Sequence, residues 1–321
     1  MAIISNCNAS IIKDAALALK QGHLVAFPTE TVYGLGADAC NEEAVARIYQ
    51  VKGRPSGHPL IVHISSIDLL DKWARNIPEY AIKLARAFWP GPMTLILPRT
   101  ETAKDFITGG QNNVGIRVPA HSVALALLKE FEAQGGYGVA APSANKFGAV
   151  SPTTSSDVAL ELAGLLSTND QILNGGPCSI GVESTILDCT TDKPMILRPG
   201  AVTKEQVENS LEYYINSNLN LDDQVKSSGS FKSHYSPVAK VFLTGTPNPG
   251  DGFIAYSYIK TPNSAIRLAS PKNNEEYAQI LYSSLRSGDL KGISNIYAIP
   301  PNSDGIGAAI CDRLKKSSTK L

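Results

Sequence analysis

Apolar residues recur at helical spacing from Ile11 to Gln21, and Gly22 supplies a stop. A short apolar run over 24–27 ends at Pro28 and reads as a buried strand. The alternation then repeats. Asn41 is placed to cap a helix over 42–52 that Gly53 ends, and 60–64 reads as a second strand. Pro78 is placed as the first residue of a helix over 78–89, which Pro90 ends. Strands are predicted over 93–97, 114–118 and 137–141, with an amphipathic helix over 123–133 between the last two. A helix over 157–164 and strands around Ile172, 182–187 and 195–197 complete the region. Strands alternating with helices predict an α/β fold. Polar, Gly- and Pro-bearing loops follow several strands, where such sheets bind ligands.

Residues 216–236 break the pattern: polar, rich in Ser and Asn, without periodicity. A smaller α/β pattern follows, with strands over 240–245, 252–257, 265–270 and 295–300, a helix over 274–285, and a last helix starting near Gly307. The expected division is a catalytic domain over 1–215, a linker or lid over 216–238 and a carboxy-terminal domain over 239–321. No internal repeat is visible.

The length of 321 residues suits about two domains. Lys+Arg and Asp+Glu both number 29, so the basic excess of a general nucleic-acid binder is missing. Five scattered cysteines (Cys7, Cys40, Cys178, Cys189 and Cys311) fit neither a disulfide framework nor a zinc ribbon. They read as reduced thiols of a cytoplasmic protein. The first residues have no basic segment before an apolar stretch, so no signal peptide is expected. No apolar run reaches the ~18 residues of a membrane span.

Four segments are too polar for plain packing. PTETVYGLG (28–36) follows a buried strand and concentrates hydroxyls, a carboxylate and two glycines. KGRPSGHPL (52–60) places Lys52 and Arg54 on a proline-stiffened loop fit to hold phosphate oxygens, Lys as a point charge and Arg as a fork. It leads into His63, within an apolar strand. Arg117 also lies inside an apolar strand and needs a carboxylate, internal or from a ligand. APSAN (141–145), followed by Ser151, offers small residues and hydrogen-bonding groups at a strand end, and GVEST and LRPG repeat that theme. Together they predict a cleft lined by Lys52, Arg54, Arg117 and Arg198 that takes an anionic small ligand such as a nucleotide. G-x-x-x-x-G-K-[ST] and a convincing G-x-G-x-x-G after the first strand are both missing from the sequence, as is a Ser/His/Asp elbow.

PTETVYGLG, KGRPSGHPLIVHI, WPGPMTL, GIRVP, APSAN, GVESTI and LRPG occur in that order. The series resembles the YrdC/Sua5 family, the L-threonylcarbamoyladenylate synthases. The HYSP (234–237) and GIGAAICDRL (305–314) segments resemble the Sua5 type, which adds a carboxy-terminal domain. The resemblance implies a twisted, mixed open sheet with helices, plus a smaller Rossmann-like domain. It implies a nucleotidyltransferase that turns L-threonine, bicarbonate and ATP into threonylcarbamoyl-AMP and pyrophosphate, with Mg²⁺ accompanying ATP. The product feeds t6A modification of tRNA through a separate threonylcarbamoyl transferase, so tRNA is met at most indirectly.

Carried over position by position, the family pattern puts Thr31, His63, Arg117, Ala141 and Ser184 around threonine. It puts Lys52, Arg54, His58, Asn113, Ser143, Asn145, Ser151, Arg198, Ser233 and Tyr235 around ATP, with Lys52 and Arg54 as the catalytic cations. Tyr33 is an expected neighbour, and Ser233, His234 and Tyr235 are expected to close the cleft. The sequence departs from the family at His58, where Asn is frequent, and at Ser228-Gly229-Ser230, where Pro-Gly-Met is usual. Two alternatives stand beside this reading. One is a carbamoyl-phosphate-dependent carbamoyltransferase, whose zinc-finger Cys pairs this sequence lacks. The other is a non-enzymatic RNA-binding module, which zero net charge disfavours.

Overall fold

The computed structural model describes residues 3–215, 234–262 and 264–319. Expectations for the linker over 216–233, Ser233 included, lie outside the described residues.

Among the described residues ten strands form one sheet: β1 (Ile3–Asn6), β2 (Val25–Phe27), β3 (Gly34–Asp38), β4 (Ile61–His63), β5 (Met93–Pro98), β6 (Asn113–Arg117), β7 (Val139–Ala140), β8 (Gln171–Asn174), β9 (Thr185–Asp188) and β10 (Met195–Arg198). Their spatial order is β1-β8-β2-β3-β7-β4-β6-β5-β9-β10. Parallel pairs (β1–β8, β8–β2, β4–β6, β5–β9) mix with antiparallel ones, as a mixed open sheet requires.

Side chains that alternate along a strand separate onto opposite faces. Val25, Phe27, Val139 and Leu173 pack under the helices Ala9–Lys20 and Ser122–Ala133. Leu24, Ala26, Ala140 and Ile172 face the larger core that includes the helices Glu42–Lys52 and Glu79–Phe88. Asn41 caps Glu42–Lys52 by accepting from the Ala44 amide at 3.0 Å, and Gly53 ends it in the left-handed conformation at φ 61°. Pro78 is the N-cap of Glu79–Phe88, one residue ahead of the helix it was expected to begin.

The larger departure is β3. The loop expected over 28–36 ends early: its last three residues open the strand Gly34–Asp38, which folds back antiparallel on β2 as a buried central strand. Gly36 is there for closeness: a Cβ would lie 2.7 Å from Val139 Cγ1 and 2.8 Å from Phe27 Cε1.

The second sheet is all parallel: β11 (Lys240–Phe242), β12 (Gly252–Ile254), β13 (Ile266–Ala269) and β14 (Asn295–Ala298), in the order β11-β14-β12-β13. The helices Asn274–Leu290 and Gly307–Ser318 complete this α/β unit. Its core takes in Val32, Val150 and Val182 from the first region, so the two units share an apolar seam. At Gly181, φ 85°, a Cβ would lie 2.4 Å from the Ala278 carbonyl oxygen, so only glycine lets that loop meet Asn274–Leu290.

Candidate active site

A cavity opens where β2, β4, β6, β7 and β10 end and β3 and β9 begin. Thr29, Thr31 and Val32 come from the β2–β3 loop, Arg54 from the loop after Glu42–Lys52, and His63 and Arg117 from the ends of β4 and β6. Ala141 and Ser143 follow β7, Glu183 and Ser184 precede β9, and Arg198 ends β10. His234 and Tyr235 line the remaining side.

On one side lies Arg117. Its Nη2 donates to Glu30 Oε1 at 2.5 Å, its Nη1 to Thr31 Oγ1 at 3.0 Å and its Nε to the Gly91 carbonyl at 3.2 Å. The carboxylate expected for Arg117 is therefore internal; the other Glu30 oxygen accepts from the Ala120 amide at 3.0 Å. Thr29 gives its hydrogen to the Val32 carbonyl at 2.6 Å, so the 2.8 Å contact between the two hydroxyls is donated by Thr31. Arg117, Thr31 and Thr29 form one directed chain. His63 packs edge-on against Phe27, ring centroids 6.0 Å apart, and its Nδ1 has no hydrogen-bond partner among the described residues. Burial, then the Arg117 charge, pushes its pKa down to about 3, so the ring is neutral at pH 7. Ala141 lines the cavity without filling it, and Ser184 Oγ lies 2.8 Å from Thr94 Oγ1. All five residues assigned to threonine thus meet in one cavity.

Arg54 and Arg198 stand on the other side. Arg198 donates through Nε and Nη2 to the Ser184 carbonyl at 3.1 and 2.9 Å, and through Nη2 to Ser184 Oγ at 3.1 Å. Arg54 Nη2 donates to the Pro59 carbonyl at 3.0 Å, while its Nε is buried without a partner among the described residues. Of the residues assigned to ATP, Arg54, Ser143, Arg198 and Tyr235 line the cavity.

Lys52 does not. Its buried ammonium donates to the carbonyls of Ser143, at 2.5 Å, and Asn145, and so fixes the APSAN turn from behind. Burial, then the Arg54 charge, drives the Lys52 pKa well below its ordinary range. Asn145 Nδ2 donates to the Lys146 and Ala149 carbonyls while its Oδ1 is buried without a partner among the described residues, and Ser151 donates to Glu183 Oε1 at 2.6 Å. Asn113 stands opposite Pro98 at the far end of β6 from Arg117. His58 connects to the cavity edge through rings: it lies 5.7 Å from Phe147, and Phe147 lies 6.2 Å from His234. Tyr33 is buried with its hydroxyl on the Gly176 carbonyl and does not line the cavity.

His234 and Tyr235 are nearly inaccessible, with ring centroids 4.1 Å apart. Burial holds the His234 pKa down at about 3; Glu183 opposes the shift, while Lys52 and Arg54 add to it. Burial and Glu183 raise Tyr235 to about 12. Glu183 also lines the cavity, and no role was expected of it from the sequence. Burial alone would raise its pKa, but Arg313, Arg198 and the Ser151 hydroxyl bring it to about 2. The only sequence signal was a lone carboxylate between Val182 and Ser184, with nothing to name its partners.

The arrangement gathers three guanidinium groups, neutral His63 and a set of hydroxyls, which suits a ligand with two separate anionic ends. Among the described residues no group of three His, Cys, Asp or Glu side chains is placed to hold a metal ion, and no helix is long and apolar enough to cross a membrane.

The family description "Telomere recombination" (Sua5_yciO_yrdC) matches residues 17–200. "Threonylcarbamoyl-AMP synthase, C-terminal domain" matches residues 202–319. The chain is 39% identical to a Pyrococcus abyssi protein named threonylcarbamoyl-AMP synthase, covering 99% of this chain and 98% of that one. It is 40% identical to a protein of that name from Bacillus subtilis, covering 96% and 92%. The solved structure of P. abyssi Sua5 complexed with L-threonine superposes with a TM-score of 0.88 at 38% identity, covering 99% of this chain and 98% of that one.

Proposed function

The chain belongs to the Sua5/YciO/YrdC family, and on that premise we propose that it is a threonylcarbamoyl-AMP synthase, using L-threonine, bicarbonate and ATP. The observation that carries the reading is the convergence of Thr31, His63, Arg117 and Ser184 with Arg54 and Arg198 in one cavity.

Threonine lies on the Arg117 side. Its carboxylate takes the guanidinium that Glu30 now partly occupies, and its hydroxyl meets Thr31 or Ser184. Neutral His63 faces the amine without repelling it. The amine and bicarbonate give a carbamate, with loss of water and a proton. A carbamate oxygen then attacks the α-phosphorus of ATP, and pyrophosphate leaves with the electron pair of the broken P–O bond. This makes the enzyme a nucleotidyltransferase. No covalent enzyme intermediate is needed: Arg54 and Arg198 hold and neutralise the phosphates, and positioning does the rest. Lys52 acts from behind by fixing the Ser143 and Asn145 carbonyls. Mg²⁺ enters with the triphosphate as part of the substrate, its ligands drawn largely from phosphate oxygens and water. The product passes to a separate transferase that completes t6A on tRNA.

Pyrophosphate release by the purified protein tests the reading. Release that requires ATP, threonine and bicarbonate together is expected; release that persists without threonine, or none under any condition, overturns it.

A further inference from the structure

The GIGAAICDRL segment takes no part in the chemistry above, yet its Arg313 reaches the cavity wall. Arg313 sits on Gly307–Ser318 and is fully buried. Its Nε donates to Glu183 Oε2 at 2.8 Å and its Nη1 to Asp312 at 2.6 Å. The guanidinium carbon lies 5.2 Å from the centroid of the Tyr235 ring, a cation–π distance. Tyr235, at φ 61°, also stacks on Tyr282 with centroids 5.7 Å apart. The Tyr282 hydroxyl donates to the same Glu183 oxygen as Arg313, at 2.8 Å, while Ser151 holds the other. Glu183 and Tyr235 both line the cavity, and Ser184, next to Glu183, anchors Arg198. One side chain of the second unit therefore touches two parts of the wall on the Arg198 side.

We propose that Arg313 is a positioning residue of the nucleotide site: it holds Tyr235 against the cavity and neutralises Glu183, so that this carboxylate does not repel the phosphates Arg54 and Arg198 receive. The proposal rests on the synthase reading. An unpaired carboxylate facing a triphosphate in a water-poor pocket is strongly repulsive, whereas the same group paired and hydrogen-bonded is close to neutral at a distance.

The other groups facing Glu183 are Arg198, His234, Tyr235 and Tyr282, with Asp312 and Lys316 paired to each other on the last helix. None replaces Arg313, the largest influence opposing burial at Glu183. Without it, burial moves the carboxyl pKa upward, toward the working range. Below the new pKa Glu183 is neutral and ATP binds; above it the charge, still bonded by Ser151 and Tyr282 but without its guanidinium, opposes ATP.

Steady-state KM values for ATP and threonine, with kcat, are measured for wild type and Arg313→Met from about pH 6 to pH 9. The variant-to-wild-type ratio of ATP KM is expected to rise about tenfold toward the alkaline end, while the threonine ratio stays level. Adding Glu183→Gln to Arg313→Met should flatten the ATP ratio. Arg313→Lys should restore ATP KM but leave kcat reduced, because lysine loses the planar stack on Tyr235. An ATP ratio independent of pH, or equal losses for both substrates, means a merely structural role and overturns the proposal. Should Arg313→Met not fold, Arg313→Lys alone decides: an ATP KM close to wild type with reduced kcat agrees, and equal rises in ATP and threonine KM refute. A wild-type enzyme without threonine- and bicarbonate-dependent pyrophosphate release removes the synthase reading and this proposal with it; a level ratio in an active enzyme removes this proposal alone.

Discussion

Arg117 and Arg198 end strands of the ten-stranded sheet, and both line the cavity. Arg267, on a strand of the four-stranded sheet, turns instead onto its own domain. It donates to the Ala255 and Tyr256 carbonyls at 2.6 Å each and to the Ile259 carbonyl at 3.0 Å, and covers the Phe253 ring at 5.2 Å. The crevice beyond the carboxyl ends of a parallel sheet, where a ligand is ordinarily sought, is here crossed by protein hydrogen bonds. The other two arginines of the second unit point outward to the first. Arg313 reaches Glu183, and Arg286 reaches Glu161 at 2.9 Å and the Val150 carbonyl at 2.8 Å. The first region sets Arg54, Arg117 and Arg198 on a cavity wall; the second spends its arginines on structure and docking. An α/β pattern in sequence does not reveal which of these a sheet does.

Four substitutions or deletions test that contrast, in descending order of effect. Arg54→Ala should lower pyrophosphate release about 100- to 1000-fold, the usual consequence of removing a charged donor to a transition state. Its melting temperature should stay close to wild type, since Arg54 Nη2 bonds the Pro59 carbonyl and its Nε bonds no described residue. Normal turnover would take Arg54 out of the site. Removing everything after residue 216 should leave a folded first domain but reduce kcat/KM about a hundredfold. It strips Arg313, Tyr282 and Tyr235 from the wall and uncovers Val32, Val150 and Val182. Full activity in the truncated chain would confine the second unit to a passive role.

Asp170→Asn probes structure remote from catalysis. Asp170 takes a bidentate bond from Arg47 (3.0 and 2.7 Å) and accepts the Leu24 and Ser167 amides at 2.8 and 2.7 Å. Burial opposes its charge, but these donors win and hold the pKa below 3.8. A folded-state pKa below the unfolded one adds stability above the unfolded pKa and loses it as pH falls. The substitution should cost about 2 kcal/mol at pH 7 by urea unfolding, and the difference should close below about pH 4. A constant difference down to pH 2 would deny the ion pair its role. Lys83→Ala, which removes an exposed pair with Glu212 at 3.4 Å, should shift stability by less than about 0.5 kcal/mol. A larger loss would show that the Glu79–Phe88 surface is held by charge as well as by its apolar face.

The helices and most strands were legible because caps and periodicity are local. Asn41, Gly53 and the apolar stripe fixed Glu42–Lys52 at both ends. β3 was misread because Gly34 and Gly36 signal equally a flexible loop and a strand pressed on both sides; only the approach of Phe27 and Val139 decides. The helix Lys204–Leu211 was missed although Thr203 and Gln206 form a capping box, a signal that was there to be used. The threonine-side residues came together because each sits on or beside a strand end. Lys52, Asn145 and Ser151 were put at the ligand by the family pattern, yet the Lys52 ammonium, the Asn145 amide nitrogen and the Ser151 hydroxyl are consumed by carbonyls and by Glu183. Partner choice of that kind is tertiary. So is the arrival of Arg313, written 130 positions from the carboxylate it meets.

The pairings of the first sheet also bear on how the molecule assembles. β2 and β3 join through a short connection, the one that carries Thr29 and Thr31, so this hairpin closes early at small entropic cost. Its other neighbour, β8, brings contacts such as that between the Leu24 amide and Asp170, separated by 146 positions, and parallel strands so distant in the chain pair slowly. The threonine loop is thus shaped well before its sheet is complete. Between those events β2 keeps an open hydrogen-bonding edge, and the nascent chain is exposed to mispairing there.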